Sequence, residues 1–256
     1  MKILLLGGTG AMGEYLSDIL SQKGNQTFVT TRSLRTSKEN LTFIQGNAKN
    51  LSFLKSILDK RWDAIVDFMV YSTAQFQKRV DLLLNATHQY VFLSSARVYA
   101  DSESPIVESS PRLLDVSNDV EFLKTDEYSL AKARQEDILR KSGKANWTII
   151  RPYITFSSHR LQLGVLEKED WLYRALKGKT IVFSEDINSK LTTLTFGIDV
   201  AKSISALIGE EETYGETFHI TTEEHTKWSE ILDLYLDILE NHLGYRPKVI
   251  FENKED

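Results

Sequence analysis

The chain has 256 residues, 41% of them hydrophobic and 26% charged, with a net charge of −5 and no cysteine. These values exclude a disordered or fibrous chain, and the absence of cysteine excludes disulfides, thiolate metal sites and cysteine nucleophiles. Lys and Arg form no basic stripe, and no apolar run approaches the roughly 20 residues that cross a bilayer, so we expect neither nucleic acid nor membrane as a partner.

The front of the chain carries a glycine-rich turn. Ile3–Leu6 predict a strand, and apolar residues at helical spacing from Leu16 to Leu20 predict a helix, with the turn between them. Bare backbone at such a turn lets a phosphate reach the peptide N–H groups and the positive end of the helix dipole. The spacing Gly7-x-x-Gly10-x-x-Gly13 therefore favours a dinucleotide site, and a glycine turn without a ligand is the alternative.

Strands and helices alternate along the rest of the chain. We predict strands at Thr27–Thr30, Leu41–Gln45, Ala64–Phe68, Tyr90–Ser94, Trp147–Arg151, Leu191–Thr195 and Thr217–Ile220. We predict helices near 51–60, 72–86, 121–142 and 197–209, and a final helix over Trp228–Leu243 that ends at Gly244. This rhythm of largely apolar strands predicts an α/β fold of the Rossmann type, a doubly wound parallel sheet covered on both faces.

The alternation loosens after Pro152, where the chain becomes polar and aromatic, and resumes near Leu191. We therefore expect residues 1–152 and about 191–221 to form the dinucleotide-binding Rossmann domain. Residues of about 153–190 and 222–256 are expected to form a small, interleaved C-terminal substrate region.

Tyr128 and Lys132 are candidate catalytic residues because they are four residues apart and share one face of a predicted helix. On that face the ammonium can lower the pKa of the phenol from about 10 towards working pH, which makes Tyr128 a plausible general acid/base. Tyr173 and Lys177 have the same spacing but lie in the looser segment, where a surface or packing role is expected. Tyr128 differs because it opens a helix soon after a predicted strand end.

Ser95 directly follows the strand Tyr90–Ser94 and could hydrogen-bond the substrate oxygen on which Tyr128 acts. A serine that merely ends a strand is the alternative. The agreement of Ser95 with the glycine turn and the Tyr128/Lys132 pair favours the functional interpretation.

An ordered set of motifs resembles the extended short-chain dehydrogenase/reductases, the NAD-dependent epimerase/dehydratase family. The resemblance runs over most of residues 1–220. It is carried by the glycine turn, Ser94-Ser95-Ala96-Arg97-Val98-Tyr99, Pro105-Ile106-Val107-Glu108-Ser109-Ser110-Pro111, Tyr128-x-x-x-Lys132, Ile150-Arg151-Pro152 and Asp199-Val200-Ala201.

The resemblance implies a Rossmann domain that holds NAD or NADP and a smaller region that usually binds a nucleotide-sugar. It places Ser95, Tyr128 and Lys132 at the catalytic positions, with Lys132 also contacting the nicotinamide ribose. It implies cofactor contacts at Gly7, Thr9, Gly10, Ala11, Met12, Gly13, Thr31, Arg32, Asn47, Ala48, Phe68 and Lys132. Ala96-Arg97 stands where the 4,6-dehydratases carry an acidic pair, so epimerase or reductase chemistry is favoured.

The cofactor prediction favours NADP over NAD. The acid that accepts the ribose hydroxyls in NAD-specific members would fall near Thr31, and no carboxylate is there. Arg32, assisted by Arg35 or Lys38, could instead pair with a 2′-phosphate, although a solvated arginine is the alternative. Asn47 replaces the aspartate that these enzymes commonly place near adenine.

Four further expectations concern an alternative function, a homodimer, metal binding and location in the cell. A Rossmann protein that binds dinucleotide as a structural or sensing ligand, or that binds RNA or protein, is the alternative function. The family resemblance suggests a homodimer through the helices near 72–86 and 121–142. The five histidines include no pair four residues apart beside carboxylate ligands, so we expect no protein-bound metal, and the lack of cysteine favours the cytoplasm.

Overall fold

The computed structural model describes residues 1–253, and its contacts divide the chain into two compact units. The first unit comprises Met1–Tyr153 and Gly197–Ile220. The second comprises Ile154–Phe196 and the residues from Thr221 onward. Within residues 1–253, no helix has both the length and the apolar character that a bilayer crossing requires.

The first unit contains a seven-stranded parallel sheet in the order β3-β2-β1-β4-β5-β6-β11. Its strands are β1 Lys2–Leu6, β2 Gln26–Thr31, β3 Leu41–Gln45, β4 Trp62–Asp67, β5 Thr87–Leu93, β6 Trp147–Pro152 and β11 Thr217–Ile220. Its helices are α1 Gly13–Gln22, α2 Leu51–Leu58, α3 Thr73–Gln77, α4 Val80–Asn85, α5 Leu113–Val116, α6 Val120–Lys124, α7 Tyr128–Arg140 and α10 Gly197–Leu207, with short 3-10 turns at Ala96–Val98 and Glu211–Thr213. The predicted doubly wound Rossmann sheet is therefore confirmed.

Alternate residues of the strands supply two separate cores, one on each face of the sheet. Leu4 and Ile65 point to the face covered by α2, α3, α4 and the end of α7, whereas Ile3 and Val66 point to the face covered by α1 and α10. Successive side chains of a strand leave on opposite faces, so a strand that is apolar throughout must be covered on both. Burial on both faces of the sheet therefore explains why the strands are largely apolar.

The second unit is built from short strands and from helices of 4, 9 and 16 residues around a single apolar cluster. They are β7 Ile154–Phe156, α8 Lys168–Leu176, β8 Ile181–Phe183, α9 Glu185–Asn188, β9 Leu191–Thr192, β10 Leu194–Phe196, β12 Thr226–Lys227, α11 Trp228–Leu243 and β13 Val249–Phe251. Trp171 stacks on Tyr235 with ring centroids 4.6 Å apart at the centre of this cluster. The final helix has the predicted bounds, and Gly244 ends it in the left-handed region at φ 76°, as expected of a C-cap glycine.

Two predicted helices are each divided in the structure. The helix predicted near 72–86 is α3 and α4, because Arg79 is buried between them and its guanidinium donates to the backbone carbonyls of Gln75 and Lys49. The helix predicted near 121–142 is α6 and α7, because Thr125 is extended and its hydroxyl donates to the carbonyl of Phe122 at 2.8 Å. Side-chain hydrogen bonds to the backbone compete with helix continuation, and hydrophobic periodicity does not register them.

The strand predicted at Leu191–Thr195 also differs from the structure. It consists of β9 and β10, which pair with β12 and β7 in two-stranded sheets outside the seven-stranded sheet. The chain rejoins the large sheet only at β11. A short β-branched run predicts a strand, but its sequence carries no information about which strand it pairs with.

Candidate active site

The carboxyl ends of five adjacent strands bring the predicted site residues to one edge of the sheet. In the order β3, β2, β1, β4, β5, these ends are followed by Asn47, Arg32, the glycine turn, Phe68 and Ser95. Strand order changes direction between β1 and β4, which pair through Leu6 and Asp67. Ligands of open α/β sheets bind at such a switch point.

The glycine turn leaves bare backbone where a ligand phosphate would approach. Gly7 lies at φ 70°, and its N–H donates to the Thr30 hydroxyl at 2.8 Å. A Cβ on Gly13 would lie 2.6 Å from the Cα of Gly8, so α1 packs against the turn only with glycine there. A Cβ on Gly10 would meet no atom within 4 Å, so this side of the turn is open. Thr9, Ala11 and Met12 complete the turn that leads into α1. A turn of this shape fits the pyrophosphate of a dinucleotide.

The remaining predicted cofactor residues lie on both sides of this turn. Thr31 is buried at the end of β2, and its hydroxyl is engaged with the backbone of Ser33. Arg32, which follows, is exposed. Arg35, which is also exposed, forms an ion pair with Glu14 of α1 at 3.1 Å, so part of its charge is already neutralised. A contact between Arg35 and a 2′-phosphate, as predicted, would therefore compete with the ion pair between Arg35 and Glu14.

Asn47, Ala48 and Phe68 flank the same edge from β3 and β4. Asn47 is exposed, and its side-chain oxygen accepts the backbone N–H of Lys49 at 3.0 Å. Ala48 is buried and Phe68 is half-buried. The structure therefore leaves parts of Asn47 and Phe68 exposed at this edge, and it places Ala48 in the core.

Ser95 lies two residues beyond the end of β5. Its side-chain oxygen accepts the backbone N–H of Arg97 at 3.1 Å and so caps the 3-10 turn at Ala96–Val98. Only 9% of Ser95 is exposed. The hydroxyl keeps its own proton available, since it accepts rather than donates in this bond.

Tyr128 is the first residue of α7. The carboxylate of Glu127 caps this helix by accepting the backbone N–H of Ser129 at 2.7 Å, and it pairs with Arg97 at 3.1 Å. A side-chain acceptor and a negative charge both stabilise a helix N-terminus. The Arg97 guanidinium lies 5.4 Å from the centre of the Tyr128 ring, so the half-buried phenol has a cation on one side.

Lys132 joins α7 to the end of β5. Its ammonium donates to the backbone carbonyl of Leu93 at 2.6 Å and lies 6.0 Å from the centre of the Tyr128 ring. Burial lowers the pKa of Lys132 to about 8, although the negative charges of Asp67 and Glu136 act in the opposite direction. Lys132 is therefore charged at neutral pH. It lies close to Tyr128 and to the end of β5, two residues before Ser95.

Asp67 is a buried acid that the sequence analysis did not identify. It lies at the end of β4 and accepts the hydroxyl of Tyr90 at 2.8 Å and the backbone N–H of Met69 at 2.9 Å. Burial raises the pKa of Asp67, and the nearby charge of Lys132 opposes this shift. A carboxylate at the last position of an apolar strand, Ala64-Ile65-Val66-Asp67, is the signal that could have identified it.

Glu136 is a second buried acid that the sequence analysis missed. It is fully buried one helical turn beyond Lys132, and the Arg151 side chain binds it with both ends of its guanidinium fork at 2.9 and 2.7 Å. Burial tends to raise the pKa of Glu136, but the hydrogen bonds and charge of Arg151 hold it below its usual value. The series Tyr128, Lys132, Glu136 at intervals of four residues is the signal for it in the sequence.

These contacts define a phenol, an ammonium and a hydroxyl beside a bare-backbone turn at one sheet edge. A phenol near a cation can exchange a proton with a substrate hydroxyl or carbonyl oxygen, and a serine hydroxyl can hold that oxygen. Among residues 1–253, no group of three His, Cys, Asp or Glu side chains is arranged to hold a metal ion.

Comparison with known proteins identifies a family. The model of the NAD dependent epimerase/dehydratase family matches residues 3–220. A curated relative, the chloroplast stem-loop binding protein of 41 kDa b from Arabidopsis thaliana, is 25% identical over 241 residues. The match covers 88% of this chain, which spans only 59% of the length of that relative.

Solved structures share the fold. An epimerase from Methanothermobacter thermautotrophicus superposes with a TM-score of 0.77 at 17% identity, covering 100% of this chain and 80% of its own. The UDP-glucuronic acid 4-epimerase from Bacillus cereus, in complex with UDP-glucuronic acid and NAD, gives 0.72 at 16% identity, with 98% and 86% covered. At these identities the likeness concerns the fold.

Proposed function

Because the chain belongs to the NAD dependent epimerase/dehydratase family, we propose that it is an epimerase or reductase acting on a hydroxyl or keto group of a nucleotide-sugar or a related compound. The observation that carries this proposal is the position of Lys132, which lies beside the Tyr128 ring and donates to the carbonyl of Leu93, two residues before Ser95, at the sheet edge that carries the glycine turn. The epimerase fold neighbour bound to UDP-glucuronic acid supports the choice of substrate class.

In the proposed reaction, Tyr128 exchanges a proton with the substrate oxygen, and Ser95 hydrogen-bonds the same oxygen. The Lys132 ammonium lies near the phenol and stabilises its negative charge while the proton is away. A bound nicotinamide would supply hydride acceptance and donation at the substrate carbon. The second unit is proposed to be the substrate-binding region of the chain.

The glycine turn would hold the pyrophosphate, with Arg32 and Thr31 near the adenosine ribose and Lys132 near the nicotinamide ribose. NADP is proposed as the preferred cofactor because Arg32 is exposed at the end of β2 and no carboxylate occupies that strand end. The family description and the solved neighbours name NAD, so NAD is the competing cofactor.

The direct test is an assay of the purified chain with UDP-glucuronic acid or UDP-glucose and with NAD or NADP. Formation of the C4 epimer, followed by NMR, supports the epimerase, and loss of NADPH absorbance with a keto substrate supports the reductase. Tight cofactor binding without turnover of any nucleotide-sugar or ketone would contradict the enzyme proposal and support a dinucleotide sensor.

RNA binding is the second candidate function. Similarity to a protein named as a stem-loop binding protein favours it, whereas the net charge of −5 disfavours it. Fluorescence anisotropy with an RNA hairpin, measured at several salt concentrations, separates the two candidates. Saturable binding that weakens with salt supports the RNA function.

We also propose that the protein forms a homodimer, and light scattering tests this.

A further inference from the structure

Glu136 connects three elements of the first unit at one carboxylate. The hydroxyl of Ser94 donates to its Oε1 at 2.6 Å, and Arg151 of β6 binds both carboxylate oxygens. Two further arginines, Arg112 and Arg140, each approach Oε2 at 3.3 Å. Because Glu136 is fully buried, its orientation is set by these partners and not by solvent.

The position of this carboxylate relates it to the candidate catalytic residues. On α7, Glu136 lies on the same helical face as Tyr128 and Lys132, two turns and one turn further on. On β5, its partner Ser94 directly precedes Ser95. One hydrogen bond therefore joins the helix that carries the phenol and ammonium to the segment that carries the hydroxyl.

A second contact joins the same two elements closer to the chemistry. Lys132 donates to the carbonyl of Leu93, the residue before Ser94. Lys132 is itself a candidate catalytic residue that is expected to contact the cofactor ribose. Its bond to Leu93 could therefore change when cofactor binds, and this bond alone would not hold β5 at a fixed distance from α7. Glu136 and Ser94 are both buried, so water does not compete for the hydrogen bond between them.

We propose that Glu136 is a positioning residue that acts through Ser94 to hold Ser95 at a fixed distance from Tyr128 and Lys132. This inference rests on the proposed function for its catalytic consequence. Its structural content, a tether between α7 and the end of β5, is independent of which substrate is turned over.

Asp137 provides a matched control within the same charge cluster. It pairs with Arg112 at 2.9 Å and with Arg140 at 3.5 Å, the two arginines that also approach Glu136. Its side chain is 29% exposed, whereas the Ser94 hydroxyl donates to Glu136. Loss of the Asp137 charge therefore disturbs the arginines without cutting the tether.

The experiment compares Ser94→Ala, Ser94→Thr and Asp137→Asn with the unmodified protein. The first readout is hydrogen–deuterium exchange of the 93–99 segment, which requires no substrate. We expect Ser94→Ala to speed this exchange about 5-fold or more, and we expect Ser94→Thr and Asp137→Asn to stay close to the unmodified protein. Unchanged exchange in Ser94→Ala would overturn the tether.

The second readout is the division between kcat and KM with the substrate found in the assay above. We expect Ser94→Ala to lower kcat about 10-fold with KM nearly unchanged, because a misplaced Ser95 affects the reacting geometry more than ground-state binding. Ser94→Thr should keep the kcat of the unmodified protein, because the threonine hydroxyl can still donate to Glu136. An unchanged kcat, or a loss expressed in KM alone, would overturn the positioning role even if the exchange result holds.

Glu136→Gln supplies an independent test, since the amide can still accept the Ser94 hydroxyl. We expect it to keep the slow exchange of the 93–99 segment wherever the variant folds, whereas Glu136→Ala should give the fast exchange of Ser94→Ala. Equal exchange in Glu136→Gln and Glu136→Ala would contradict the role of this hydrogen bond. If the unmodified protein turns over no substrate, the proposed function fails, and the exchange result still decides the tether.

Discussion

Two stretches of the chain place a lysine four residues after a tyrosine, and their surroundings are opposite. Tyr128 and Lys132 begin a helix at the carboxyl edge of the sheet, and Lys132 is only 2% exposed. Tyr173 lies in the last turn of α8 and is 53% exposed, and Lys177, the exposed C-cap residue, follows the helix. The spacing is therefore common to both pairs, while burial of the ammonium beside a strand end belongs to one.

This difference shows what makes a tyrosine–lysine pair chemically useful. An exposed ammonium is surrounded by water and acts weakly on a phenol, whereas a buried one acts through a medium of lower dielectric constant. Burial has a cost, which appears as the lowered pKa of Lys132. The cost is tolerated where the carbonyl of Leu93 and the charges of Asp67 and Glu136 stabilise the ammonium.

The largest expected effect separates the two tyrosines. Tyr128→Phe should lower turnover by about 10²- to 10⁴-fold, since it removes the general acid/base while leaving the ring in place. Tyr173→Phe should stay within about twofold, because that phenol is exposed on α8 and a surface substitution there should leave the site unaltered. Initial rates of the reaction found for the unmodified protein provide the measurement. Equal losses of turnover in Tyr128→Phe and Tyr173→Phe would contradict the assignment of Tyr128 as the acid/base.

The two lysines should differ in how stability depends on pH. The folded-state pKa of Lys132, about 8, is below its unfolded value of about 10.4, so the unfolded state binds more protons between these pH values. The cost of the buried charge is fully present below about pH 8 and is relieved as pH rises to about 10.4. Relative to Lys132→Met, the unmodified protein should therefore gain about 3 kcal/mol over this range.

Urea unfolding of both proteins at pH 7, 8, 9 and 10 measures this change. Lys177→Met is the control for loss of an exposed lysine at the same spacing, and its stability difference from the unmodified protein should stay level. A level difference for Lys132→Met as well would mean that the Lys132 ammonium is better solvated than its burial indicates.

The success of sequence reasoning depended on whether a feature is local. The bounds of β3, β11 and α11 were predicted correctly, because apolar periodicity and a C-cap glycine are properties of adjacent residues. The breaks at Arg79 and Thr125 were not, because side-chain bonds to carbonyls leave no periodic trace. Periodicity likewise cannot say which strand pairs with which, so the separate pairing of β9 and β10 was missed.

The candidate site shows the same division. The glycine turn, Ser95, Tyr128 and Lys132 were predicted from the order of motifs along the chain. Asp67 and Glu136 were missed because their importance comes from burial and from partners distant in sequence, such as Tyr90 and Arg151. A buried carboxylate and a solvated one look alike in a sequence, and only the fold distinguishes them.

A smaller effect tests Ser95, the serine that follows the end of β5 at the candidate site. Ser95→Ala should lower turnover about 10- to 100-fold, because the substrate oxygen loses one hydrogen-bond donor when charge develops on it. Thermal stability should fall by about 1 kcal/mol or less, since the substitution removes a single capping bond, from the N–H of Arg97 to the Ser95 hydroxyl. A loss of turnover that follows a loss of stability would assign Ser95 to capping of the 3-10 turn.

The smallest effect extends the comparison of surroundings to two arginines. Both arginines are exposed near the end of β2, and Arg35 is paired with Glu14. Arg32→Ala should weaken NADP binding about 10-fold and leave NAD binding unchanged, because one charge-assisted hydrogen bond to a phosphate is lost. Arg35→Ala should have a smaller effect on both cofactors, since its charge is already partly neutralised. Titration calorimetry measures the affinity of each variant for NAD and for NADP, in comparison with the unmodified protein. Equal weakening of NAD and NADP binding in Arg32→Ala would assign that arginine to general attraction of anions and favour NAD as the physiological cofactor.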